Sequence, residues 1–208
     1  MGCVRDKPWR SYSGRFLLAA FGVAYGCGPS VEPEQTQPRT HAANPQSRDT
    51  TMTLTIRSSA FADQARIPKR FTGDGEDFSP EVSWSGVPAG AKELALICDD
   101  PDAPTPEPWV HWVIYKIPTT AAGLRENIPK TGPLSEPVGA LQGVNSWGTT
   151  GYRGPAPPRG HGVHHYHFKL YAVDAALNVA AGVDKKKLLS ALQGHVVAQG
   201  ELVGTYER

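Results

Sequence analysis

GPAPPRGHGVHHYHF runs from Gly154 to Phe168 and places His161, His164, His165 and His167 within seven positions. The stretch reads as a metal site, a catalytic cluster, or a strand that sends its histidines to different places. Extended to HHYHFKLYAV (His164–Val173), it has the two-residue period of a half-buried β-strand. Side chains alternate along a strand, so His164, Tyr166, Phe168, Leu170 and Ala172 share one face. His165, His167, Lys169 and Tyr171 share the other. The first row becomes apolar along its length and is the core face. His164 and Tyr166 then stand at the mouth of that core, beside the proline-rich loop, while His165 and His167 point away. A single metal bound by all four histidines would need the strand to be broken. His161, His165 and His167 read as surface residues.

The same rule applies to the neighbouring segments. KELALICDD (Lys92–Asp100) is a near-continuous apolar run, a buried central strand, with Leu94, Leu96, Cys98 and Asp100 on one face. It ends in DPDAPTPEP, whose prolines forbid a sheet ladder. WVHWVIYKIP (Trp109–Pro118) is the next strand, and strict alternation puts His111 in a row with Val113, Tyr115 and Ile117. Three rows thus end in polar groups: Asp100, His111, and His164 with Tyr166. If those ends are adjacent they line one pocket. MTLTIRSSAF begins with a strand that puts Met52, Leu54 and Ile56 on one side, and a short strand is expected around Val82–Trp84. The span from Ala121 to Gly160 has no period and reads as a long functional loop region. One helix is expected near the end, capped by Asp184, with Leu188, Leu189, Leu192 and Val196 at helical spacing up to Gly200. ELVGTYER (Glu201–Arg208) reads as a final short strand. The fold class is all-β dominated: an antiparallel β-sandwich with a C-terminal helix.

The whole chain sets the bounds. It has 208 residues, a formal net charge of +1, 39% hydrophobic residues, 22 glycines and 19 prolines. The balanced charge argues against a nucleic-acid partner, which needs a basic surface. Cys3, Cys27 and Cys98 show neither C-x-x-C spacing nor an even framework, against a cysteine zinc site or a disulfide scaffold. Residues 1–27 carry basic positions, then the apolar run FLLAAFGVAYG, then Cys27. That order resembles a bacterial lipoprotein signal with lipid on Cys27, although Tyr25 is unusual so near the cleavage point. Residues 28–51 are polar and proline-rich and read as a disordered linker. Residues 52–208 form the folded domain. The expected location is the cell envelope, with membrane attachment only through the lipid anchor; a start at Met52 would instead make the protein cytoplasmic.

DPDAP (Asp100–Pro104), the pair His111–Trp112, and GYRGPAPPRG (Gly151–Gly160) followed by H-x-Y at His164–Tyr166 together resemble the phosphatidylethanolamine-binding protein (PEBP) family. GDGEDFSPEVSW, GVNSWGTTGYRGP and ELVGTYER are similar to its bacterial, Raf-kinase-inhibitor-like branch. The resemblance covers Leu54 to Arg208. It implies a Greek-key β-sandwich and a small anion pocket formed by Asp100, Pro104, His111, Pro157, Pro158, His164 and Tyr166. No cofactor, metal or catalytic residue is expected, since Asp100, His111 and His164 fall on three separate segments with no local ligand spacing. The implied ligand is a small phosphorylated or anionic molecule, a phosphorylated head group or phospho-residue, and a kinase- or protease-inhibitor-like role toward an unknown protein target is the regulatory form of that reading. One departure stands out: the family usually has Arg after the motif histidine, where this chain has His165. The alternative is a hydrolase-type enzyme or a metal-dependent site using Asp100, His111 and His164. Against catalysis, no nucleophile is placed, because there is no G-x-S-x-G and Ser146 has no visible base.

Overall fold

The computed structural model describes residues 51–208. The leader expected over 1–27, the lipidation of Cys27 and, apart from Thr51, the linker over 28–51 lie outside the described residues. Among the described residues no helix is long and apolar enough to cross a membrane.

The chain runs through β1 (Met52–Thr53), β2 (Thr55–Arg57), β3 (Val82–Ser85), β4 (Glu93–Asp100), β5 (Trp109–Pro118), β6 (Gly123–Leu124), β7 (Leu141–Gln142), β8 (His164–Val173), α1 (Lys185–Leu192) and β9 (Val196–Tyr206). A six-stranded sheet has the order β1-β9-β8-β4-β5-β7, and a three-stranded sheet the order β2-β3-β6. All pairings are antiparallel except β1 on β9, so the large sheet is mixed. Between the two sheets lies a core that includes Leu54, Ile56, Val82, Trp84, Leu96, Trp112, Ile114, Phe168 and Leu170. On the other side of the large sheet, Ala95, Ile97, Val113 and Tyr115 pack under Leu188 and Leu192 of α1. Both faces of β4 are therefore buried, which explains its unbroken apolar run.

Three local expectations are corrected. The first strand splits at Leu54: β1 lies along β9 and β2 along β3, so Met52 is exposed while Leu54 and Ile56 enter the core. The helix stops at Leu192, and Val196 opens an 11-residue strand where a short one over Glu201–Arg208 was expected. Gly194 turns the chain at positive φ, and pairing with β8 gives the following backbone a full ladder that a longer helix would forfeit. The Asp184 cap holds: its carboxylate accepts from the Lys187 N–H at 2.8 Å.

The third correction positions the site. β5 carries two β-bulges against β4, where Cys98 faces Trp112 but Asp99 faces Val110, and where Leu94 faces Ile117 but Leu96 faces Ile114. Each inserts one extra residue in β5, and each reverses the alternation. The row predicted for His111, Val113, Tyr115 and Ile117 is therefore divided. Val113 and Tyr115 face the helix, and Ile117 faces the sandwich core. His111 is the extra residue of the first bulge, and it turns to the same side as Asp100 and Tyr166.

Candidate functional site

β8 keeps strict alternation: His164, Tyr166, Phe168, Leu170 and Ala172 are buried, and the residues between them are half-exposed. Its neighbour β4 ends at Asp100, and β5 delivers His111 through its bulge. The proline-rich loop closes over these strand ends. A cavity of about 230 Å³ results, and every residue expected in the pocket lines it: Asp100, Pro104, His111, Pro157, Pro158, His164 and Tyr166. Trp109 and Trp147 add aromatic wall, edge to face with ring centres 5.3 Å apart. A larger cavity, of about 850 Å³, lies beside α1 on the opposite side of the sheet, with Tyr171, Lys185 and Leu189 in its lining. The smaller cavity holds the converging buried polar groups and is the candidate site.

Those groups form a hydrogen-bonded chain. His164 donates from Nδ1 to Asp100 Oδ2 at 2.8 Å, with both side chains buried. The other Asp100 oxygen accepts from the Asp102 N–H at 2.9 Å, which closes the DPDAP turn. A neutral His164 that donates from Nδ1 has only Nε2 left to accept, and His161 Nδ1 lies 2.9 Å from it. The chain thus runs from buried Asp100 through His164 to exposed His161. His111 donates from Nδ1 to the Arg153 carbonyl at 2.5 Å, and burial pushes its pKa down to about 4, so the ring is neutral at pH 7. Its ring packs edge to face on both Tyr166 and Trp147 at 5.0 Å. Tyr166 Oη is the one buried side-chain polar atom among the described residues that lacks a hydrogen-bond partner. Burial, with the Asp100 charge adding to it, holds this phenol protonated far above the ordinary range.

The loop is fixed from below. The Gly154 N–H donates to Asp77 Oδ1 at 2.6 Å, and any Cβ on Gly154 would come within 2.4 Å of the Phe71 carbonyl oxygen. Asp77 also accepts from Lys130 at 2.5 Å. Arg208 grips Asp74 with Nε and Nη2, while its Nη1 reaches the carbonyls of Ala156 and Pro157 in the cavity wall. That grip holds the Asp74 carboxyl down to about 2. Asp74 and Asp77 read as plain loop acids in the sequence. Their partners are 134 and 77 residues away, and no local pattern announces such pairs. His161 was also missed as a partner, because it precedes the strand and alternation does not reach it.

A family model described as phosphatidylethanolamine-binding protein matches residues 57–207. The chain belongs to the phosphatidylethanolamine-binding protein family. This PEBP domain is 52% identical over 155 residues to a UPF0098 protein of Methanothermobacter thermautotrophicus, a match covering 74% of this chain and 99% of that one. Among solved structures it resembles a PEBP homologue of Chlamydia trachomatis, with TM-score 0.67, 37% identity, and coverage of 76% and 99%. It also resembles Escherichia coli YbcL, with TM-score 0.70, 31% identity, and coverage of 74% and 98%.

The remaining sequence-level candidates fall outside the cavity. His165 stands where the family has Arg, and it meets Asp102 twice: its backbone N–H at 2.8 Å and its Nδ1 at 2.7 Å share Oδ2. Burial works to raise the Asp102 carboxyl, but these bonds outweigh it and the pKa is lowered. His167 pairs with Glu201 at 2.8 Å on the same outer face. The Ser146 hydroxyl accepts from the Val110 N–H at 2.8 Å. Cys98 is buried in the core, and burial pushes its thiol well above the ordinary range. Among the described residues no group of three or more His, Cys, Asp or Glu side chains is arranged to hold a metal ion.

Proposed function

We propose that the PEBP cavity binds a small anion, a phosphorylated head group or phospho-residue, without turnover. The observation that carries this reading is the Tyr166 hydroxyl, a buried donor with no partner in the protein, in the lining of a cavity of head-group size. A phosphate oxygen would satisfy it, and proline-stiffened walls lower the ordering cost of binding. The Asp100 carboxylate, with Trp109 and Trp147 nearby, suits the ammonium end of a zwitterionic head group. His111 and His164 spend their Nδ1 donors inside the protein. Tyr166 is therefore the donor among these three rings that remains for the anion.

The test is titration of the protein with O-phosphoethanolamine at pH 7.5, followed by heat and tryptophan fluorescence. We expect saturable binding, about tenfold weaker in Tyr166→Phe, the value of one hydrogen bond. No binding, or binding by Tyr166→Phe and by a Tyr166→Phe/His164→Ala double variant as tight as that of the wild type, would sink the assignment.

The hydrogen-bonded chain from Asp100 through His164 to His161 favours one second reading, an acid–base site in a hydrolase-type reaction that also uses His111. Phosphomonoester hydrolysis lost in His164→Ala would select it, and hydrolysis restored only by added divalent metal would select its metal-dependent form. The sequence of residues 1–27 also supports a lipid anchor at Cys27 in a bacterial cell envelope; Cys27→Ser should then move the protein from the membrane to the soluble fraction. An inhibitor-like role toward a kinase or protease would use the same pocket to take a phospho-residue of the target. Capture of a phosphorylated target that Tyr166→Phe abolishes would support it.

A further inference from the structure

We propose that His165 and His167 form a two-histidine site for a divalent transition-metal ion on the outer face of β8, away from the cavity. The strand places the two rings on one face, with backbone positions about 6.6 Å apart at the usual strand rise. Both side chains reach solvent, at 43% and 25% exposure. Each ring has its Nδ1 on a carboxylate: His165 on Asp102 at 2.7 Å and His167 on Glu201 at 2.8 Å. An ionised carboxylate only accepts, so Nδ1 carries the proton and Nε2 of a neutral ring keeps its lone pair. That is the state in which imidazole ligates a metal, and a carboxylate behind the ring is the usual way of holding it there.

The carboxylates come from opposite flanks. Asp102 follows β4, Glu201 lies on β9, and β8 runs between those two strands. With each Nδ1 held by an opposite flank, a shared ion over β8 would be reached through the two Nε2 atoms. The remaining described histidines lack this arrangement. His195, in the turn before β9, meets Asp174 with no histidine two positions away, His161 and His164 bond to each other, and His111 is buried. Two protein ligands with water completing the sphere suit copper, nickel or zinc, which favour imidazole, better than magnesium or calcium.

The experiment is calorimetric titration of the full chain with nickel chloride at pH 7.5, after capping accessible thiols with iodoacetamide. One saturable site is expected, lost in His165→Ala and in His167→Ala and unchanged in His195→Ala. Asp102→Asn and Glu201→Gln should each weaken it by about tenfold or more, as loss of a carboxylate behind a metal-bound imidazole does. Copper should bind more tightly than nickel, and manganese more weakly. Absence of a saturable nickel site would overturn the proposal. So would its persistence in the His165→Ala/His167→Ala double variant, with circular dichroism showing that variant folded. Binding that follows His195 would overturn it as well.

Discussion

Two Asp–His pairs join the same two segments of this protein, their histidines adjacent and their aspartates two positions apart. Asp100 meets His164 at 2.8 Å and Asp102 meets His165 at 2.7 Å, yet the first pair is sealed at 5% and 2% exposure while the second stands at 42% and 43%. Equal geometry thus sits in unequal surroundings. Inside, each group depends on its partner, because water cannot replace a lost bond. Outside, water and salt compete with the pair, and its net value is small. The two faces of β8 therefore divide the work: the inner face builds a cavity, and the outer face presents adjustable polar groups.

The largest test of that contrast is Asp100→Ala. Removing the carboxylate takes the acceptor from His164 Nδ1–H and the Asp102 N–H and should cost about 2–3 kcal/mol of stability, read as a lowered urea midpoint. A loss as small as that of the surface pair would break the comparison. Next comes acid. His111 is neutral when folded, with a pKa of about 4, against the ordinary 6.5 of an unfolded chain. Between those values the unfolded chain binds the extra proton. The contribution is full above about pH 6.5 and is lost as pH falls toward 4, reaching about 3 kcal/mol. Urea midpoints at pH 7 and pH 4.5 should separate accordingly, and His111→Phe should shrink the difference.

Tyr166→Phe sharpens the contrast from the other side. Its hydroxyl has no protein partner, so the free protein should lose nothing and gain up to about 1 kcal/mol, even as the variant loses ligand affinity. A large destabilisation in thermal melts would mean that the hydroxyl has a structural partner. The smallest effect is expected at Asp102→Ala: below about 1 kcal/mol, and smaller still in high salt. A double-mutant cycle with His165→Ala measures the pair alone.

Much of this was legible in the sequence, and the reason is the period of the strand. In HHYHFKLYAV the alternation has no interruption, so the inner and outer rows followed from residue order and agree with the burial seen. The apolar run of LALIC likewise announced a strand buried on both sides. For β5 the same rule failed. A single extra residue turned His111 to the opposite face, and nothing in WVHWVIYKIP marks the bulge, because it exists only as a mismatch of register with β4. The helix end was misread for a related reason: Val196 fits the helical spacing, but ten register positions along β8 decide its conformation.

Residue order by itself thus determined the β-rich class, the face of each side chain on an uninterrupted strand, and the polar ends of three rows. Only the tertiary structure decided that those ends meet. The pairing of β4 with β8 brings Asp100 to His164 across 64 residues, the bulge swings His111 beside them, and Arg208 reaches back to secure the loop above. Local pattern reflects short-range stereochemistry, which each segment carries with it. Adjacency depends on which strand satisfies which backbone, and that is settled only when the whole sheet forms.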